Sequence, residues 1–175
     1  IRRASHSMAY DPIRERVVLL GGSAATVLTP VPADETWEWD GARWRRYSTP
    51  SPNATRRSAM AYDAVAQRMI LFGGSGVTGT INETWAWDGG AWSQLSPSNS
   101  PSPRIASAVT YDSDRSRIVL FGGSGNLDDT WEWDGDAWVE RQGEGPRPSP
   151  RDGHSMMYDP DRGVVVLAGG EFWSL

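Results

Sequence analysis

Tyr111-Asp112, then Ile118-Val119-Leu120-Phe121-Gly122-Gly123, then Thr130-Trp131-Glu132-Trp133-Asp134-Gly135 and Trp138: this stretch decides the fold, because the chain repeats it. Tyr-Asp recurs at Tyr10-Asp11, Tyr62-Asp63 and Tyr158-Asp159, and eleven residues after each Tyr stands a Gly pair, Gly21-Gly22, Gly73-Gly74 and Gly169-Gly170. A four-residue apolar run precedes every pair: Val17 to Leu20, Met69 to Phe72 and Val165 to Ala168. The Trp block recurs as Thr36-Trp37-Glu38-Trp39-Asp40-Gly41 with Trp44, and as Thr84-Trp85-Ala86-Trp87-Asp88-Gly89 with Trp92. The period is 47 to 52 residues and spans essentially the whole chain. A fixed period of this size signals stacked supersecondary units in place of one irregular domain.

Each unit reads as four short strands, A to D. Strand A ends at the Tyr and carries small residues, as in Ser107-Ala108-Val109-Thr110-Tyr111, which suits a crowded inner position. A turn built on Asp leads to strand B, whose continuous apolar run implies burial on both faces. The Gly pair closes strand B where the backbone needs positive φ or close approach. Strand C alternates, with Trp37 and Trp39 on one face and Thr36 and Glu38 on the other. Asp-Gly then turns the chain into strand D, which carries Trp44, Trp92 or Trp138. Pro- and Ser-rich stretches at 48–53, 96–103 and 143–150 join the units.

Composition sets the limits. Of 175 residues, ten are Trp, nineteen Gly, twelve Pro and none Cys. Without Cys there is no disulfide framework, thiolate zinc site or cysteine nucleophile. All seventeen basic residues are Arg, against twenty-two acids, for a net charge of −5. With neither a basic run nor a basic face, nucleic acid and anionic membrane surfaces are excluded as main partners. The longest apolar runs are four or five residues, too short for membrane insertion as a helix. The chain starts at Ile1 and not at Met, from which the reading expects further sequence upstream.

These columns resemble the Kelch repeat, marked by four hydrophobic residues, a Gly pair and spaced aromatics. The aromatic pair is closer here (Trp39 to Trp44) than in the usual Kelch spacing, as in a bacterial variant with a shorter C–D turn. A WD40 reading fails because Trp-Asp opens a turn and no Gly-His precedes it at the right distance. The resemblance implies an all-β fold of Kelch-type β-propeller blades, similar to the central domain of galactose oxidase. The blades span 1–49, 50–97 and 98–143, with a partial fourth at 144–175. In that last unit Glu171 to Leu175 aligns with strand C, and Gly169-Gly170 is read as a two-residue hairpin turn, giving about three and three-quarter blades. An unclosed array exposes two apolar faces. The remaining blades of a longer propeller or a second copy of the chain would cover them; a small closed ring is the other possibility.

Family resemblance places the D–A and B–C loops on one side, where Arg and Ser bind partner carboxylates. Arg3, Arg104 and Arg151 lie seven residues before the strand A Tyr, with Arg56 one place later in the second unit, beside Thr55. Their alternative role is structural, bonding neighbouring carbonyls or Glu38 and Glu132. Ser23, Ser75 and Ser124 open B–C loops of different lengths, and Asn82, Asn126 and Asp128 lie within them; residues that vary between units are not demanded by the fold. His6 and His154 share a column with Ser58 and Ser107, and two His do not make a metal site. Asp112-Ser113-Asp114 and Asp159-Pro160-Asp161 lack the Gly and Glu of a calcium loop. Asn53-Ala54-Thr55 and Asn82-Glu83-Thr84 match the glycosylation sequon.

The resulting expectation is a non-catalytic interaction module that needs no cofactor and binds a protein or glycan through this loop side, as part of a longer bacterial protein at the cell surface or outside the cell. The alternatives are a segment of a carbohydrate-active enzyme of the sugar epimerase or mutarotase kind, or a structural component of a surface assembly. Galactose oxidase chemistry is excluded for this segment, since its Tyr–Cys crosslink needs a Cys.

Overall fold

A computed structural model describes residues 3–25, 30–32, 34–53 and 56–171. Three four-stranded antiparallel sheets follow one another, each with strands A to D in chain order. In blade 1 these are Ser7–Asp11, Arg16–Leu20, Thr36–Trp39 and Trp44–Tyr47; in blade 2 Ala59–Asp63, Arg68–Phe72, Thr84–Trp87 and Trp92–Leu95. Blade 3 comprises Ala108–Asp112, Arg117–Phe121, Thr130–Trp133 and Trp138–Arg141, and blade 4 the pair Asp152–Asp159 and Val164–Glu171. Register repeats from blade to blade: Tyr10 faces Val17, Tyr62 faces Met69, Tyr111 faces Ile118 and Tyr158 faces Val165.

Aspartates make the turns. Oδ1 of Asp11, Asp63 and Asp112 accepts the amides two and three residues on, and a residue with positive φ completes each A–B turn: Glu15 at 53°, Gln67 at 52° and Ser116 at 54°. Asp40, Asp88 and Asp134 cap the C–D turns in the same way, so these are four-residue loops. The Asp-x-Asp segments are therefore turn caps, and among the described residues no group of three acidic or His side chains is placed to hold a metal ion.

Blades pack face to face. Val18 and Leu20 of blade 1 pack with Met60, Tyr62, Met69, Leu71, Trp87 and Trp92 of blade 2. On the other side of blade 2, Ala61, Ile70, Phe72 and Ala86 pack with Ile118, Leu120, Trp133 and Trp138 of blade 3. Each blade thus has a leading face, bearing the Tyr and two Trp, and a trailing face, bearing the alternate strand B residues. Indoles lock the joints: Trp87 Nε1 donates to Glu38 Oε1 at 3.0 Å, Trp92 Nε1 to Thr36 Oγ1 at 2.8 Å and Trp138 Nε1 to Thr84 Oγ1 at 3.0 Å, each acceptor lying one blade back.

Two faces lack this cover. Tyr10 is 53% exposed where Tyr62 is 7%, and Trp44 is 44% exposed where Trp92 is 8%. At the other end Met157, Val164 and Val166 of blade 4 stand exposed. One sequence expectation needs correction. Gly169-Gly170 is not a hairpin turn: Gly169 pairs with His154 and Glu171 with Asp152, so strand B runs through the pair. Its φ values, 72° and 89°, match the 68° and 99° of Gly21-Gly22, which likewise lead out of strand B without reversing it. The proposed strand C residues 172–175 lie outside the described residues.

Candidate functional site

The sequence candidates sort by what their atoms already hold. Arg104 is fully buried, and its guanidinium grips Asp129 through both nitrogens, at 2.6 and 2.7 Å, while also donating to the Gly122 carbonyl at 3.1 Å. Arg3 repeats the arrangement with Glu35 at 2.9 Å and the Gly21 carbonyl at 3.0 Å, and Arg151 donates to the Gly169 carbonyl at 3.0 Å. The same acids accept indole protons from Trp37 and Trp131. A planar two-pronged cation suits this junction, where one side chain ties the start of strand A, the end of strand B and the start of strand C. Trp37 first and then Arg3 hold the Glu35 carboxyl below its ordinary pKa. Burial works to raise that of Asp129, but Arg104 and Trp131 outweigh it and lower it. Arg104 consequently has no surface to offer a ligand, and the acid it meets belongs to its own blade; it is neither Glu38 nor Glu132.

Ser23, Ser75 and Ser124 are also bound to the fold. Ser23 pairs with Ala4 in a short strand, Ser75 exchanges backbone hydrogen bonds with Arg56 at 2.8 and 3.3 Å, and the Ser124 amide donates to the Ile105 carbonyl at 2.9 Å. Arg56 therefore occupies the column of Ala4 and Ile105, not that of the gripping arginines. Asn82, Asn126 and Asp128 are exposed in the B–C loops. Of these Asn126, at φ 63°, lines a cleft of about 350 Å³ together with Arg151 and Asp152.

What brings the blades to one place is a column that sequence reasoning passed over. Five residues before each strand A Tyr stand Ser5, Arg57, Ala106 and Gly153, all with positive φ: 60°, 53°, 56° and 65°. The Arg57 amide donates to the Ser5 carbonyl at 2.9 Å, the Ala106 amide to Arg57 at 2.9 Å and the Gly153 amide to Ala106 at 3.0 Å. Left-handed backbone in three non-Gly residues is costly and persists only where the surroundings enforce it. This hydrogen-bonded chain of backbones rims a polar bowl of about 560 Å³ to which all four blades contribute, among them Ser58, Ser107, Asp152 and Glu171.

A family model for the KLHDC2/KLHL20/DRC7 Kelch-repeats domain matches residues 1–170. The chain belongs to the Kelch-repeat family. Kelch domains are generally protein-interaction modules, built as β-propellers. No curated protein matches the chain.

In this Kelch domain the bowl is lined by the ends of the D–A connections and the first residues of strand A, with Glu171 from the end of a strand B. Arg57 is exposed there, and its guanidinium makes no hydrogen bond or ion pair with the described residues. His154 lines the same bowl but is 7% exposed; its ring packs edge-on against Phe121, and neither nitrogen has a partner among the described residues. Burial first, and the charge of Arg151 second, lower its pKa, so it stays neutral at pH 7. His6, the same column at the open end, is exposed. His6 and His154 lie three blades apart, and among the described residues no group of three acidic or His side chains is placed around either of them. Arg57 was missed because the sequence search aligned arginines with one another, whereas the signal here is a lone Arg in a column that otherwise holds Ser, Ala and Gly.

Proposed function

We propose that this Kelch segment is a non-catalytic module that binds an extended, carboxylate-bearing segment of a protein partner in the bowl around Arg57. The observation that carries the reading is the free guanidinium of Arg57 on a backbone fixed by hydrogen bonds on both sides. The fold does not require Arg at this column, yet it presents one that pairs with no acid among the described residues. A carboxylate accepts two parallel hydrogen bonds from such a group, and a rigid rim spares the ordering cost on binding. Ser58 and Ser107 bring hydroxyls to the same wall, and Asp152 and Glu171 place acids across the bowl, favouring a basic or amide group next to the bound carboxylate.

Selection from a displayed random peptide library, followed by calorimetric titration of the winning peptides, tests this. Peptides with an essential Asp, Glu or free carboxyl terminus are expected, losing about tenfold or more in affinity against Arg57→Ala. Peptides that bind Arg57→Ala as well as the native chain, or exclusive binding of neutral oligosaccharides on a glycan array, would overturn the reading.

A further inference from the structure

Blades 1, 2 and 3 end strand B and begin strand C with the same set of acceptors. In blades 1 and 3 the amides of Gly21 and Gly122 donate to the carbonyls of Glu35 and Asp129, at 3.0 and 3.2 Å. The side chain of each acid accepts the indole proton of the Trp two residues on, Trp37 at 3.0 Å and Trp131 at 2.7 Å. Blade 2 repeats both bonds: the Gly73 amide donates to the Glu83 carbonyl at 3.1 Å, and Trp85 Nε1 donates to Glu83 Oε2 at 2.8 Å. One backbone bond and one indole thus hold a carboxylate beside a glycine carbonyl in all three blades.

The cation is what differs. In blade 1 the two terminal nitrogens of Arg3 divide between the Gly21 carbonyl and Glu35, and in blade 3 those of Arg104 meet the Gly122 carbonyl and both oxygens of Asp129. Blade 2 has Thr55 in that column, a residue with neither charge nor fork. Among the described residues Glu83 accepts from Trp85 alone, and no donor meets the Gly73 carbonyl. The next two arginines do not substitute: Arg56 pairs its backbone with Ser75, Arg57 lines the bowl, and neither reaches Glu83. Where the cation belongs to the chain it is closely held, the side chains of Arg3 and Arg104 being 11% and 0% exposed. A guanidinium seated in this way is largely desolvated and charge-assisted, the condition under which such bonds are strong.

We propose that Glu83 and the Gly73 carbonyl form a receptor for an arginine side chain of a partner protein, which completes blade 2 as Arg104 completes blade 3. Arginine is selected over lysine because the acceptors are a carboxylate and a carbonyl side by side, which a planar fork spans and a single ammonium does not. Asn82, immediately before Glu83, is exposed, which leaves the acid an approach from solvent. Described blades flank the site on both sides, so it depends on neither end of the chain, and it stands independently of the Arg57 bowl.

Titration of the isotopically labelled chain with α-acetyl-arginine amide, followed by nuclear magnetic resonance, tests the proposal. Saturable shifts are expected at the Trp85 indole and at the Gly73 and Glu83 amides, with an affinity about tenfold or more above that for α-acetyl-lysine amide. Glu83→Gln keeps an acceptor for Trp85 but removes the charge, and is expected to weaken binding about tenfold or more. Thr55→Arg supplies the guanidinium from within the chain and is expected to abolish the response. Circular dichroism checks that both variants fold, and the comparison of arginine with lysine needs no variant. No saturable response in the native chain, equal affinity for the two probes, or a response unchanged in either variant would each overturn the proposal. Binding of free L-arginine without binding of the capped form would overturn the assignment to a partner protein.

Discussion

Glu38 to Ala is the substitution whose outcome the repeats foretell. Glu38 is buried and accepts three hydrogen bonds: from Arg14 at 2.6 Å, from the Tyr47 hydroxyl at 2.8 Å and from Trp87 of the next blade at 3.0 Å. Removing the carboxylate leaves a partly buried cation, a hydroxyl and an indole without their acceptor. Breaking a buried pair from one side costs about 3–5 kcal/mol, and because Arg14 keeps Asp11 at 2.7 Å the lower end, about 3 kcal/mol, is expected. Blade 2 shows how the same joint is built without charge. Where blade 1 has Arg14, Glu38 and Tyr47, blade 2 has Ala66, Ala86 and Leu95, and blade 3 returns to Arg115, Glu132 and Arg141, with Glu132 taking both guanidinium groups. The set changes together, and its one residue of imbalance is Trp133 Nε1, buried with no partner opposite Ala86. Copying blade 2 into blade 1 as Arg14→Ala, Glu38→Ala and Tyr47→Leu should therefore cost only about 2 kcal/mol, for one orphaned indole and the lost Arg14–Asp11 pair, since Asp11 keeps its turn amides as Asp63 does in blade 2. Urea denaturation of the native, single and triple variants measures this. A triple variant no more stable than Glu38→Ala, or a single variant within about 0.5 kcal/mol of native, would refute the reasoning.

Other outcomes follow from the same geometry. Arg104→Ala takes from half-buried Asp129 its two-pronged partner and should lower unfolding free energy by about 2–3 kcal/mol, seen by urea denaturation; an unchanged midpoint would contradict its structural role. Trp92→Ala should cost about 3–5 kcal/mol and Trp44→Ala under about 1 kcal/mol in urea denaturation, because burial and not the repeat pattern sets the cost. His154 has a folded pKa below its ordinary 6.5, so the unfolded chain takes up the proton first. Its contribution is complete above about pH 6.5 and declines as pH falls toward the folded pKa, by at most about 1.4 kcal/mol per pH unit. Melting curves at pH 7.5 and 5.5 should therefore differ less in His154→Ser than in the native chain.

The four strands of each unit and the Asp turns between them were legible in the sequence, because period-2 alternation and Asp turns act locally and repeat, whereas the indole bonds between blades were not. The Tyr and Gly columns placed strands A and B in register, and Trp37 with Trp39 placed strand C. The fourth Gly pair was misread because a hairpin turn and the end of strand B need the same positive φ; only the pairing of Glu171 with Asp152 separates them. The partner of Arg104 was misjudged for a different reason. The acids weighed, Glu38 and Glu132, lie inside strand C, whereas Asp129 stands just before it and meets Arg104 only once strands A, B and C are assembled. Arg57 was passed over because the arginine columns drew the eye to Arg56, its neighbour; the lone Arg among Ser5, Ala106 and Gly153 was legible, but the left-handed backbone that puts this column on the bowl was not.

The central claim is that the Arg57 bowl is where this Kelch domain meets its partner. Chemical-shift mapping of the isotopically labelled chain, titrated with a selected carboxylate-bearing peptide, tests it most directly. The account predicts that the largest amide shifts fall on Ser5, Arg57, Ser58, Ala106 and Gly153, and that they vanish in Arg57→Ala. Shifts confined to the outer strands, Trp44–Tyr47 and Trp92–Leu95, or unchanged in the variant, would contradict it.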